Sequence, residues 1–196
     1  MNTGDVYYLN IFLGTGTILF QVFCAVTLFV LFFNLKKNKK SVYLDFVDKH
    51  FLVLSFFIAL FASVFPLVYS EIIHFLPCYL CWWQRIFMFP LVFMFGVAFW
   101  DKPVRHASQG DAGGDRKVIR YVFPLLCAGF LVSAYQNFFY YFGENSNLPC
   151  DASGVSCYQH VVSVFGGYIS IPMMALTAFA GLLTLLIVAH FYKKEV

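Results

Sequence analysis

Apolar residues in this chain fall into five long, nearly unbroken runs, near residues 9–35, 51–73, 82–100, 118–142 and 169–192. Each approaches or exceeds the roughly 20 residues that carry an α-helix across a bilayer. An open array of strands is excluded at that depth, because lipid offers no partner to an unpaired backbone N–H or C=O. The pattern therefore predicts five transmembrane helices. Pro66, Pro90 and Pro124 fall inside such runs and predict kinks, which neighbouring helices in a bundle can accommodate.

Composition points the same way. Of 196 residues, 61% are hydrophobic and 12% charged, where a soluble domain carries roughly 25% charged residues. The net charge of +3 does not argue for a nucleic-acid partner, because the basic residues cluster between the apolar runs. Lys36, Lys37, Lys39, Lys40 and Lys49 separate the first two runs, Lys102, Arg105, Arg116, Lys117 and Arg120 the third and fourth, and Lys193 and Lys194 follow the fifth. Five spans put these segments on one side, with 12 of the 13 Lys and Arg residues. The positive-inside rule makes that side the cytoplasm. The N-terminus, residues 71–81 and residues 143–168 are then expected outside, where Arg85 is the only Lys or Arg. The first run is too long for the core of a signal peptide, and the ten residues at its front carry an Asp and no Lys or Arg. It reads as a retained helix. Residues 108–115 form a polar, Gly- and Asp-rich loop with no chemistry attached.

The cysteines carry the candidate chemistry. Cys24 and Cys127 lie mid-span and read as small apolar residues. Cys78 and Cys81 form a C-x-x-C at the outer mouth of the third span, and Cys150 and Cys157 lie in the long outer loop. All four are thus expected on the oxidising side, where disulfides persist. A C-x-x-C also occurs at haem and zinc sites. Haem attachment needs a His after the second Cys, and here Trp82 follows. Zinc could draw on the four cysteines with His74 or His160, and a pair of purely structural disulfides is a further alternative. For a redox pair, Cys81 is expected just before the third helix, where the positive end of the helix dipole favours a thiolate. Arg85, four residues on, shares its face and would stabilise a thiolate or a reduced quinone. The plainer reading of Arg85 is a side chain snorkelling to the headgroups.

The segment Leu76-Pro77-Cys78-Tyr79-Leu80-Cys81-Trp82-Trp83-Gln84-Arg85, with Met88 and Pro90, resembles the active-site segment of the DsbB family, in its BdbC-like branch. Ser70-Glu71-Ile72 upstream is similar to that branch, as are Pro149-Cys150, Gly154-Val155-Ser156-Cys157, Phe165-Gly166, Ile171-Pro172 and Ala175-Leu176 downstream. The resemblance covers about residues 55–190.

It implies a four-helix transmembrane bundle over residues 51–196, to which residues 1–50 add one N-terminal helix and a basic cytoplasmic loop. It further implies redox-active disulfides Cys78–Cys81 and Cys150–Cys157 in a bacterial cytoplasmic membrane. A DsbA-like thioredoxin-fold partner would reduce the second pair. Electrons would leave through Cys81 to a membrane quinone, ubiquinone or menaquinone, held near Arg85. No metal is implied. Where the branch tends to place a His, this chain reads Tyr135-Gln136-Asn137, and Gln136 cannot act as an acid or base. Val161, Val162, Val164 and Phe165 suggest a short interfacial helix after Cys157. Two rival classes remain. A membrane thiol reductase would want redox cysteines at the depth of Cys24 and Cys127. A non-enzymatic helical membrane protein would show ionisable residues in mid-span, and the runs hold none there.

Overall fold

The computed structural model describes residues 3–37, 41–74, 77–106, 113–142 and 166–191. They form α1 (Thr3–Lys37), α2 (Val42–Lys49), α3 (Phe51–Leu67) continuing into a π-helical turn (Val68–Ile72), α4 (Tyr79–His106), α5 (Gly113–Phe142) and α6 (Ile171–Phe191). Five stretches are long and apolar enough to cross a membrane: Val6–Lys36, Phe51–Ile72, Tyr79–Trp100, Ile119–Phe142 and Ile171–Phe191. They agree with the five apolar runs to within a few residues. Phe93 is 74% exposed and Leu131 67%. Large apolar side chains facing outward along whole helices fit a hydrocarbon solvent.

Helices α3, α4, α5 and α6 close a ring, each packed on the next and α6 returning to α3, while α1 lies against α6 from outside. This is the expected bundle of four with one helix added at the front. Leu52, Leu91, Phe95, Leu126, Leu182 and Leu185 fill its centre. Small residues set the closest approaches, as membrane bundles require where no hydrophobic force separates helix from lipid. A Cβ at Gly129 would stand 2.2 Å from the Phe179 ring, and one at Gly181 would stand 2.3 Å from that of Phe20. Gly129 thus lets α5 meet α6, and Gly181 lets α1 meet α6.

Two features depart from the sequence reading. The stretch after the first span, expected as a basic loop, contains α2, whose Leu44 and Val47 are buried against the bundle. Its eight residues are too few for a periodicity to stand out, yet Leu44 and Val47, three apart, share one face. Next to Pro66 the chain does not simply bend: the ladder widens to π geometry over Val68–Ile72. Proline lacks the N–H that would bond the carbonyl four residues back, and two residues beyond it the wide turn closes with the Ile73 amide donating to the Val68 carbonyl at 3.3 Å. Helices α4 and α5 run unbroken through Pro90 and Pro124.

Candidate functional site

The π-turn delivers the chain to Ile73 and to His74, whose φ of 57° is a left-handed conformation uncommon outside glycine. The chain then re-enters the bundle at Cys78. The Trp82 amide donates to the Cys78 carbonyl at 3.3 Å, opening α4. The helix thus begins earlier than expected: Cys81 sits inside the first turn, not before it. Its position still belongs to the turn whose N–H groups lack intrahelical partners and whose end carries the positive dipole.

The two sulfurs, Sγ of Cys78 and Sγ of Cys81, lie 3.1 Å apart. Gln136 reaches across from α5, and its Nε2 donates to Cys78 Sγ at 3.3 Å and Cys81 Sγ at 3.2 Å. Its own amide oxygen accepts from Gln84 Nε2 at 2.6 Å. Gln84 and Gln136 are both buried, and the low local dielectric strengthens this chain of amide hydrogen bonds. Asn137, next in α5, donates to the carbonyls of Ser133 and Pro172, both at 2.8 Å. That contact ties α5 to the start of α6 and so fixes where Gln136 points.

Arg85 is 8% exposed. Its Nη2 donates to the Pro66 carbonyl at 2.8 Å, its Cζ lies 5.3 Å from the centre of the Trp82 ring, and its Nε is buried with no hydrogen-bond partner. A snorkelling arginine would reach for water; this one is turned inward. Arg85, Gln84 and Cys81 line one end of a cavity of about 450 Å³ bounded by α1, α3, α4 and α6. The remaining wall is mainly apolar and includes Phe61, Phe65, Met88, Met174 and Phe179. Cys81 lines the cavity, while Cys78 is 5% exposed and does not.

Of the sequence-predicted site residues, Cys78, Cys81 and Arg85 come together here. Cys150 and Cys157, His160 and the short helix expected over residues 161–165 lie outside the described residues. His74 and Glu71 are exposed, and Glu71 accepts a 3.3 Å hydrogen bond from Ser70. Cys24 is buried where α1 meets Gly181, and Cys127 is half-buried. The sequence reading missed Gln84 as a site residue and had only a negative reading of Gln136. The available signal was the rarity of buried amides in transmembrane runs.

The amide bonds have a measurable consequence. An N–H pointing at sulfur favours the thiolate over the disulfide, and a hydrogen bond to a charged group contributes about 1.5–3 kcal/mol. Gln136→Leu should therefore lower the reduction potential of the Cys78–Cys81 pair by roughly 30–60 mV, at about 30 mV per 1.4 kcal/mol. Equilibration with glutathione buffers reads this directly, and an unchanged potential would show the contacts to be incidental.

The profile of the family described as disulfide bond formation protein DsbB matches residues 48–189. The chain belongs to the DsbB family. It is 32% identical over 149 residues to the probable disulfide formation protein C 2 of Bacillus anthracis, covering 76% of this chain and 96% of that relative. It is 37% identical over 134 residues to the disulfide bond formation protein C of Bacillus subtilis, covering 66% and 84%. A probable disulfide formation protein of Deinococcus radiodurans is 35% identical over 142 residues, covering 69% and 85%. No solved structure matches the chain. As a DsbB-family member with five apolar helices, the protein is a membrane protein-disulfide oxidoreductase. The family match begins at residue 48, so α1 and most of α2 precede it.

Proposed function

We propose that this protein reoxidises an extracytoplasmic DsbA-like thioredoxin-fold dithiol and passes the electrons through its two cysteine pairs to a membrane quinone. The observation that carries the reading is the shared cavity. Cys81 and Arg85, whose guanidinium is turned inward onto the Pro66 carbonyl, line one apolar space. That space suits a flat, apolar ring whose oxygens accept hydrogen bonds and whose reduced form is anionic. Arg85, Gln84 and Tyr69 are the polar groups that would orient it. When bound, a quinone supplies an acceptor for two electrons and two protons.

The protein's own steps are thiol–disulfide exchanges. A thiolate of the partner attacks Cys150 of an oxidised Cys150–Cys157 pair and displaces the Cys157 thiolate. The second partner thiolate then attacks the mixed disulfide, leaving the partner oxidised. The Cys157 thiolate attacks Cys78 and displaces the thiolate of Cys81. The Cys150 thiolate then attacks Cys157, re-forming Cys150–Cys157 and leaving Cys78 and Cys81 as the dithiol whose two electrons and two protons would pass to the quinone. Each step trades one S–S bond for another, so the rate follows the thiolate fraction and access to the attacked sulfur. Gln136 holds both sulfurs of the first pair, and Arg85 holds positive charge beside the released one. Residues 51–196 would form this catalytic unit, with residues 1–50 an added front element.

The decisive experiment gives the purified, lipid-reconstituted protein a reduced DsbA-like protein and a quinone, and follows both. One quinone should be reduced for each partner dithiol oxidised. Partner oxidation with no quinone consumed would refute the acceptor. The reading also requires the cysteine ends outside and the Lys-rich ends in the cytoplasm of a bacterial inner membrane. After reduction, an impermeant thiol reagent added to intact spheroplasts should label Cys150. Labelling only in inverted vesicles would reverse the topology.

A further inference from the structure

The added helix α1 forms a wall of the acceptor cavity. It lies outside the family match, yet Phe12, Leu13, Gly16, Thr17 and Phe20 line the same space as Cys81 and Arg85. Its position is fixed by specific contacts. Near the cysteine end, Tyr69 of the π-turn donates its hydroxyl to Asn10 Oδ1. In the middle, Gln21 Nε2 donates to Thr177 Oγ1 at 2.9 Å, and Phe20 seats over Gly181. Towards the other end, Thr27 and Tyr43 share a 2.7 Å hydrogen bond. Helix α1 therefore rests on α6, with the cavity between it and α3.

Two further observations suggest what lies along that wall. Phe12 lines the cavity although it is 71% exposed, so the α1 side of the cavity reaches the lipid-facing surface. Gly16 also lines it, and a Cβ there would meet no atom within 4 Å. From Phe12 to Phe20 the wall runs about 12 Å at 1.5 Å per residue, more than a single ring beside Arg85 needs. The deeper part is uniformly apolar, apart from the Thr17 and Thr177 hydroxyls, which donate to Leu13 and Met173 carbonyls of their own helices.

We propose that α1 is the lipid-side wall of the quinone site and that Gly16 keeps open the groove taking the first units of the isoprenoid tail. The site thereby selects for tailed quinones over bare rings. The inference rests on the quinone reading above and adds to it a residue that sets ligand preference. A Cβ at position 16 meets no atom within 4 Å, so the side chain of Gly16→Leu starts in open space and not in a packed contact.

The test compares binding of a tailed quinone and of a tail-less ring analogue to full-length protein in lipid nanodiscs, alongside photolabelling with an azido-quinone. Gly16→Leu should weaken the tailed quinone about tenfold and the ring analogue by no more than about threefold, the scale of overfilling a fixed cavity. In the unaltered protein, peptides covering residues 12–20 should carry the label. Label confined to α3, α4 and α6, or equal affinities in Gly16→Leu and the unaltered protein, would overturn the role of α1 while leaving the acceptor reading intact. An unaltered protein that binds neither quinone would overturn both.

Discussion

Cys81→Ser should accept one equivalent of partner dithiol and then stop, with quinone reduction reduced roughly a thousandfold or more, the scale of losing a covalent nucleophile. The direction follows from where the sulfurs stand. Cys81 borders the cavity, whereas Cys78 is buried behind it against Gln136. Of the two, only Cys81 can meet a molecule in the cavity without the first turn of α4 unwinding. Serine is close in size, but its hydroxyl forms no disulfide and is a far poorer nucleophile at neutral pH. Cys150→Ser should fail one step earlier. It should leave partner thiols unoxidised from the first turnover, while an added small dithiol can still reduce the Cys78–Cys81 pair and drive quinone reduction. Rapid-mix, acid-quench trapping of partner thiols beside quinone absorbance separates the two. Identical behaviour of both variants would mean that the relay is not ordered as proposed.

The spans were legible because a bilayer imposes one rule on every residue within it. An interruption of apolar character marks an end, and helix ends near residues 36, 72, 100, 142 and 191 were read to within a few positions. The C-x-x-C and Arg85 were legible for a related reason: spacing on a helix fixes which side chains share a face, so Cys81 and Arg85 had to lie together once α4 existed. What could not be read was contact between elements distant in sequence. Gln136 lies 55 residues from Cys81, and nothing in either local pattern says that α5 presents it to both sulfurs. The same holds for α1, whose place at the cavity depends on Gly181 opposing Phe20. Such partners are chosen by packing across the bundle. The π-turn at Val68–Ile72 was signalled only by Pro66, and a proline does not say whether a helix bends, breaks or widens. Here it widened, and the Pro66 carbonyl is the group that holds Arg85.

Arg85→Met should slow quinone reduction about a hundredfold and weaken quinone binding, the scale of removing one preorganised donor from a developing anion. The Arg85 guanidinium donates to the Pro66 carbonyl and lies over Trp82, but its Nε is buried without a partner. The carbonyl and ring face that hold this buried cation carry no full negative charge, and Glu71, the carboxylate that acts on it, is exposed, so burying Arg85 opposes folding. Methionine is of similar length and apolar, so it should leave the thermal stability of the empty protein unchanged or raise it. A residue whose loss harms turnover and spares stability is retained for chemistry. Arg85→Lys should fall between the two. The ammonium keeps the charge but is a point, not a planar fork, so it cannot hold the Pro66 carbonyl and present a second N–H to the cavity in one plane. Exchange between the partner dithiol and the Cys150–Cys157 pair should stay near normal in all three proteins, because that step does not release the Cys81 thiolate beside which Arg85 holds its charge. The informative measurement is the pair of half-reactions on the same reconstituted sample, with thermal melting as control. If Arg85→Met reduces quinone with unaltered rate and affinity, Arg85 is a structural clamp on the π-turn, and the acceptor must sit elsewhere.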